Sequence, residues 1–272
     1  MHVDDDQTVY VADHNNHRII EWKNGATSGR VVAGGNGQGN RTDQLNRPTD
    51  VISNKKSNTL IICDYGNKRV MRWPRHDSSI GEIIIPNIDC YGLCMNDNGY
   101  LYVSEYNTDE VKRWRIGEKS GTVVAGGHGK GNRLDQLNGA THLFIDHNGA
   151  LYIVDQGNHR VVKWTADAQE GSVVAGGRGQ GSSLEQLSSP VDVLVDQSDG
   201  VYVADYKNHR VVRWSAGATQ GSVIVGGNGS GLQANQLNGP VGLAFDRQNN
   251  LYVADLSNHR VQKFDISSSP NT

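Results

Sequence analysis

Residues 202–214 read YVADYKNHRVVRW. An Asp, an Asn, a His and two Arg this close together are the residue types of an active site. The decisive observation is that the stretch occurs six times. The acidic residue closing each YVAD-like run is Asp13, Asp64, Glu105, Asp155, Asp205 or Asp255, with steps of 51, 41, 50, 50 and 50 residues. Three positions on come Asn16, Asn67, Thr108, Asn158, Asn208 and Asn258. Next come His17, Lys68, Asp109, His159, His209 and His259, then Arg18, Arg69, Glu110, Arg160, Arg210 and Arg260. An aromatic ends each run: Trp22, Trp73, Trp114, Trp164, Trp214 and Phe264. Self-similarity at a fixed period of this length is the signature of a repeat architecture.

Within one repeat the apolar period is that of strands. VDVLVD (191–196), VYVAD (201–205), HRVVRW (209–214) and SVIVGG (222–227) are short, β-branched and bounded by turn residues. DQSDG (196–200) and DYKNHR supply the tight links. No segment shows helical spacing with caps. Each repeat therefore predicts a four-stranded antiparallel meander. One such sheet cannot bury both of its faces alone, whereas six stacked around an axis can. The expected fold is an all-β six-bladed β-propeller in a single domain, 1–272, with blades roughly at 1–39, 40–86, 87–131, 132–181, 182–231 and 232–272. Blade 1 begins at the end of its inner strand, because HVDD aligns with LVDQ (194–197). Blade 6 stops at VQKFDISSSPNT with no obvious outer strand. Either the chain is cut from a longer repeat protein or blade 6 carries an exposed edge.

NHR after YVAD, together with PVGLAFD (240–246), resembles the NHL-repeat family over essentially the whole chain. The resemblance implies the six-bladed propeller. It implies function only weakly, since the family includes protein-interaction domains, RNA-binding domains of ubiquitin ligases, receptor-like sensors and zinc lyases.

Bulk properties remove several classes. The formal net charge of the 272-residue chain is −3, and its basic residues are spread through the repeats, so no basic stripe favours nucleic acid or an anionic membrane. No apolar run reaches membrane-spanning length, and the first residues do not form a charged-then-apolar leader. Cys63, Cys90 and Cys94 are odd in number and lack CxxC spacing. Cys90 and Cys94, four apart on one strand, lie roughly 13 Å from each other, too far to bridge. They read as buried free thiols.

Catalysis needs one constellation, not six equivalent ones. Stacked sheets lie about 10 Å apart, whereas zinc holds its nitrogens at about 2.0–2.1 Å. His17, His159, His209 and His259 therefore cannot share an ion. The Asp–Asn–His–Arg set reads as structural, with the Arg fork pairing an Asp of its own or of a neighbouring blade. The Gly-rich segments GGNGQGN (34–40), GGHGKGN (126–132), GGRGQGS (176–182) and GGNGSGL (226–232) do not fit phosphate-binding patterns and lead into no helix. They read as inter-blade turns, pinned by Gln44-Leu45, Gln136-Leu137, Gln186-Leu187 and Gln236-Leu237 with the Leu inward.

Function is then expected where the repeat breaks. The second residue after the Pro position of each inner strand varies: Asp50, Gly92, His142, Asp192, Gly242. In the zinc-dependent amidating lyases that this fold resembles, histidines from such positions hold the metal. One His between two Asp departs from a three-His set. The expected cofactor is therefore none, with a divalent metal held in the central channel by Asp50, His142 and Asp192 as the alternative. The blade 2–3 connection lacks the Gly-rich loop, so Trp73 to Gly92 spans 19 residues where Trp22 to Asp50 spans 28. RHDSSIGEIIIPNIDCYG (75–92) replaces it and predicts a notched rim. Blade 3 carries Glu105, Asp109 and Glu110, which predicts an acidic spot beside Tyr65, Tyr91 and Tyr106. Loop variation on a rigid scaffold is how such folds acquire binding. The expected function is a non-catalytic propeller that binds a protein, peptide or glycan ligand through Tyr91, Tyr106, Glu105, Glu110, Asp50, His142 and Asp192. A metal-dependent lyase or hydrolase is the alternative. No nucleic-acid partner and no membrane span are expected.

Overall fold

The computed structural model describes residues 1–75 and 80–266. Six antiparallel sheets, each in meander order, are the blades of an all-β six-bladed propeller fold. Blade 1 holds β1 (His2–Val3), β2 (Val9–Asp13), β3 (Arg18–Trp22) and β4 (Arg30–Gly34). Blade 2 holds β5 (Asp50–Asn54), β6 (Thr59–Asp64), β7 (Arg69–Pro74) and β8 (Glu82–Pro86). Blade 3 holds β9 (Cys90–Met95), β10 (Tyr100–Glu105), β11 (Glu110–Arg115) and β12 (Thr122–Gly126). Blade 4 holds β13 (Ala140–Ile145), β14 (Leu151–Asp155), β15 (Arg160–Trp164) and β16 (Ser172–Gly176). Blade 5 holds β17 (Val193–Val195), β18 (Val201–Asp205), β19 (Arg210–Trp214) and β20 (Ser222–Gly226). Among the described residues blade 6 has three strands, β21 (Pro240–Phe245), β22 (Leu251–Asp255) and β23 (Arg260–Phe264). The two-residue β1 and the three-stranded last blade match the expectation from the sequence.

The link between second and third strands is built by its own residues. In five blades it opens with a single 3₁₀ turn, at Tyr206–Asn208 in blade 5, and ends on a left-handed residue. The left-handed residue recurs in all six blades, as His17, Lys68, Asp109, His159, His209 and His259, with φ between 51° and 55°. Asp and His tolerate this conformation better than most residues. A second local rule sits before each outer strand. Gly29, Gly81, Gly121, Gly171 and Gly221 lie against the indole of Trp22, Trp73, Trp114, Trp164 and Trp214. A Cβ at Gly171 would stand 2.6 Å from the Trp164 ring.

The chain divides into two compact units. The first comprises Met1–Asn107 with Lys112–Thr122, and the second Thr108–Val111 with Val123–Thr272. In the first unit, Trp73 of β7 shares a core cluster with Tyr10 and Ile19 of the preceding repeat and Leu45 of its own. Trp114 joins Ile61, Cys63 and Cys90 in another. In the second unit, Trp214 packs in a cluster with Tyr152 and Leu187. Trp22 is 39% exposed. Cys63 and Cys90 are buried free thiols, and Cys94 is a half-buried one.

One substitution in blade 1 is compensated from blade 2. Lys163, Arg213 and Lys263 cover the rings of Tyr152, Tyr202 and Tyr252 and pair with Asp146, Asp196 and Asp246. Blade 1 has Glu21 at the position of these cations. Arg75 from blade 2 supplies the missing charge, binding Asp4 at 2.6 Å and the Tyr10 hydroxyl at 2.8 Å. Tyr10 in turn donates to Glu21 at 3.2 Å.

Candidate functional site

The recurrent polar cluster is a stitch. In blade 5, Asp205 Oδ1 accepts from the Ser188 N–H at 2.7 Å. Its Oδ2 accepts from Asn208 and from Arg210 Nε, both at 2.8 Å. The rest of the Arg210 fork donates to the carbonyls of Ser182, Ser183 and Gln186, and Asn208 donates to that of Gly181. All of these carbonyls lie on the Gly-rich loop that enters the blade. Asp64–Arg69, Asp155–Arg160 and Asp255–Arg260 repeat the arrangement bond for bond. Burial pushes the Asp205 carboxyl above its ordinary range, against the pull of Asn208, the Ser188 N–H and Arg210. A buried pair whose desolvation outweighs its partners fixes geometry more than it adds stability. Leu45, Leu137, Leu187 and Leu237 of the loops are fully buried. The adjacent Gln side chains donate back to Asn36, His128, Arg178 and Asn228 carbonyls, as the spacing predicts.

The histidine of the motif has a role that its type alone did not disclose. The backbone N–H of Arg47, Ser189 and Gly239 donates to Nδ1 of His17, His159 and His209 at 3.1, 3.2 and 3.1 Å, always 30 residues on. Because the donor is a backbone N–H, Nδ1 carries no proton. Blade 3 keeps this bond with a carboxylate: Asp109 Oδ1 accepts from Gly139 N–H, and Asp109 is buried. In blade 2, Lys68 has no acceptor atom and instead pairs with Asp89 at 3.0 Å.

The inner-strand positions are bonded to backbone. Asp50 accepts from its own following N–H at Val51 and from Leu93 N–H at 2.9 Å. Asp192 does the same toward Val193 and toward Leu243 N–H at 2.7 Å. In both cases the next blade carries Gly, Gly92 or Gly242, just before the N–H that is reached. His142 donates from Nδ1 to Val191 O at 3.1 Å, beside the Thr141 hydroxyl bonded to the same oxygen at 2.9 Å. Both carboxylates thus give both oxygens to amides. Among the described residues, no group of three or more His, Cys, Asp or Glu side chains could hold a metal ion. The donor set does not fit the metal that the lyase resemblance implied.

Two of the three blade 3 acids are bonded within the fold. Glu105 is buried and ion-pairs with Lys112 at 2.7 Å. Asp109 is consumed by the bond to the Gly139 N–H. The tyrosines do come together. Tyr65 and Tyr91 meet edge-on with centroids 6.1 Å apart, and Tyr91 and Tyr106 lie 5.6 Å apart at 30°. All three are half-buried. Tyr65 and Tyr106 occupy equivalent repeat positions, each next after the strand-closing acid, and Tyr91 of β9 meets both. Of the stretch 75–92, residues 76–79 lie outside the described residues. Sequence reasoning did not find an open groove of about 560 Å³ in the second unit, lined by Lys163, Arg178, Trp214 and the 215–219 loop.

Comparison with known proteins agrees with this architecture. The family described as NHL repeat matches residues 187–214 and 237–264. No curated protein matches the chain. An auxiliary nutrient binding protein from Bacteroides thetaiotaomicron VPI-5482 superposes with a TM-score of 0.72 at 18% identity, over 94% of this chain; the chain spans 65% of that protein's length. The nidogen/laminin complex gives 0.63 at 17% identity, over 81% of this chain and 76% of the other. A catalytically inactive virginiamycin B lyase from Staphylococcus aureus with quinupristin gives 0.59 at 11%, over 98% and 83%. At such identities the fold alone is shared. The NHL-repeat model thus matches two of the repeats directly, and the six antiparallel sheets are the fold that the NHL-repeat resemblance implied.

Proposed function

We propose that the chain is a non-catalytic binding propeller whose recognition surface is the row Tyr65–Tyr91–Tyr106. The observation that carries this reading is the row itself. Three half-buried rings in mutual contact occur where the repeat is shortened, and they are not needed for the stitch that the other blades share. Tyrosine offers large contact area at low entropic cost with a polar tip, which suits a protein, peptide or glycan ligand. Of the acids expected to charge this surface, Glu105 pairs with Lys112 and Asp109 with the Gly139 N–H. The nutrient-binding and nidogen/laminin structures with the same fold are compatible with a binding role.

Glycan and peptide arrays probed with the purified chain test the reading. Hits should weaken at least about tenfold with Tyr91→Ala or Tyr106→Ala, the scale of a truncated aromatic anchor. Hits that bind both variants at full strength would refute the surface. Elemental analysis showing one equivalent of a divalent metal, lost with Asp192→Ala, would count against the non-catalytic reading.

A further inference from the structure

The turn between the first and second strands of a blade carries an acid with two jobs. In blades 4, 5 and 6, Oδ1 of Asp146, Asp196 and Asp246 accepts from the N–H four residues on, at Ala150, Gly200 and Asn250, each at 2.9 Å. Oδ2 meets the cation of the third strand, Lys163, Arg213 or Lys263. Blade 3 has Asn96 at this position. Asn96 Oδ1 keeps the first job, accepting from the Tyr100 N–H at 3.0 Å. That bond orients the amide, and its Nδ2 donates to the Tyr102 hydroxyl at 3.4 Å. In blades 4 and 6 the equivalent hydroxyls of Tyr152 and Tyr252 instead donate to the acid, at 3.4 and 3.3 Å. A donor has replaced an acceptor, and the second job is unfilled.

The blade 3 cation is nevertheless present. Arg113 stands where other blades have Lys163, Arg213 and Lys263, and its guanidinium lies 4.8 Å from the centroid of the Tyr100 ring. Arg115, two residues on along β11, lies 4.6 Å from the same centroid. Its repeat equivalents are Thr165, Ser215 and Asp265, so the second cation belongs to blade 3. Among the described residues neither guanidinium makes an ion pair. Glu118 accepts from the backbone N–H of Arg115 at 2.9 Å. Blade 2 also has an Asn here, Asn54, but its Arg72 pairs with Glu82 of the outer strand at 3.0 Å, where blade 3 has Thr122. Lys56 adds a third positive charge at the blade 3 turn, donating to the Asp97 carbonyl at 2.6 Å. Arg113 and Tyr100 are half-buried and Arg115 is exposed, so the pair is steadied by the ring and open to solvent.

We propose that Arg113 and Arg115 bind the side-chain carboxylates of an extended acidic peptide, which takes the place of the acid that blade 3 lacks. The chain itself fills the equivalent slot with an Asp side chain in three other blades. Stacking on Tyr100 occupies the face of a guanidinium and leaves its in-plane donors for a carboxylate, which they match in pairs. Residues two apart on a strand stand roughly 7 Å from each other on one face, and so do alternate residues of an extended ligand. Glu-x-Glu therefore fits both cations. The site is at the opposite end of β10 from Tyr106 and is separate from the tyrosine row.

The test titrates the capped peptide acetyl-GEAEG-amide into the purified chain at low salt, with acetyl-GQAQG-amide as its control. Arginine side-chain NMR reads the Nε–H signals. Those of Arg113 and Arg115 should shift saturably with the acidic peptide, and added salt should weaken the effect. Affinity should fall about tenfold or more with the Gln peptide or with Arg113→Gln, as for a lost charge-assisted bond. Asn96→Asp restores the acid of the other blades, gives Arg113 a partner within the chain, and should weaken the peptide to a similar extent. Four results would overturn the proposal. They are equal shifts with both peptides, shifts spread evenly over all arginines, full peptide affinity in Asn96→Asp, or saturation of the two signals by inorganic phosphate or glucuronate at lower concentration than by the peptide.

Discussion

Removing one arginine of the stitch in blade 5 separates a structural network from a functional one. Arg210 is 6% exposed and Asp205 is fully buried. Arg210→Ala would leave that carboxylate without its cation and would orphan three loop carbonyls. Breaking one partner of a buried pair costs about 3–5 kcal/mol. At about 2–4 °C per kcal/mol for a chain of this size, the melting midpoint should fall by roughly 10 °C. The control is built into the repeat. Arg18 of blade 1 bonds Asp13 at 2.8 Å but is 35% exposed, with its partner 23% exposed. An exposed pair of this kind contributes about 0–1 kcal/mol, so Arg18→Ala should shift the midpoint by no more than roughly 3 °C. Arg210→Lys keeps the charge but loses the fork and should fall between the two. Thermal melts and urea titrations of the three variants read the outcome. Equal shifts for Arg18→Ala and Arg210→Ala, or a loss under about 1 kcal/mol for Arg210→Ala, would refute the reasoning, since the cost must follow burial.

Asp109→Ala should destabilise by about 1–3 kcal/mol by orphaning the Gly139 N–H, while Asp109→His should recover most of that in urea titrations, because an imidazole fills the same left-handed position in four other blades. Gly171→Ala should cost about 1–3 kcal/mol through overpacking against Trp164, and Gly217→Ala, whose Cβ meets nothing within 4 Å, should cost less by the same assay despite its positive φ. The His159 imidazole is held below its ordinary value of 6.5 by burial and then by the charge of Lys207. Its folded pKa is lowered, so its contribution is present above pH 6.5 and is lost as acidification proceeds from 6.5 through the folded value. Melting midpoints should therefore drop between pH 7.5 and pH 5, and His159→Asn should narrow that drop; an unchanged pH profile would count against the neutral Nδ1 acceptor.

Fold and stitch were legible because the repeat displays them six times. Fixed offsets from Asp205 to Asn208 and Arg210 gave the intra-blade half of the network directly. The other half was hidden because Arg210 ends on backbone carbonyls, which every residue has and no sequence marks. The motif histidine was opaque for the same reason, since its partner is an amide 30 residues away. Asp109 misled, because an acid replacing His looked like surface charge. A carboxylate and a neutral imidazole are both acceptors, however, and the slot asks only for an acceptor. Asp50 and Asp192 were legible as odd positions, but not as clamps over Gly92 and Gly242. The tyrosine row was legible because Tyr65 and Tyr106 are repeat-equivalent and Tyr91 is the aromatic departure at an inner-strand position that holds Thr or Val in other blades.

The reach of each stitch bears on how such a chain is made. Arg210 grips residues 24 to 28 positions behind it, His209 holds an amide 30 positions ahead, and Asp192 reaches 51 ahead. Nothing in this fabric waits for a distant end of the polypeptide. As synthesis proceeds, a wedge emerging from the ribosome would find the loop that its Arg grips already delivered, and its His and Asp clamps would close as the next wedge appeared. Duplicating or deleting one whole period keeps every such latch in phase, whereas a few residues inserted inside one would uncouple two neighbours at once.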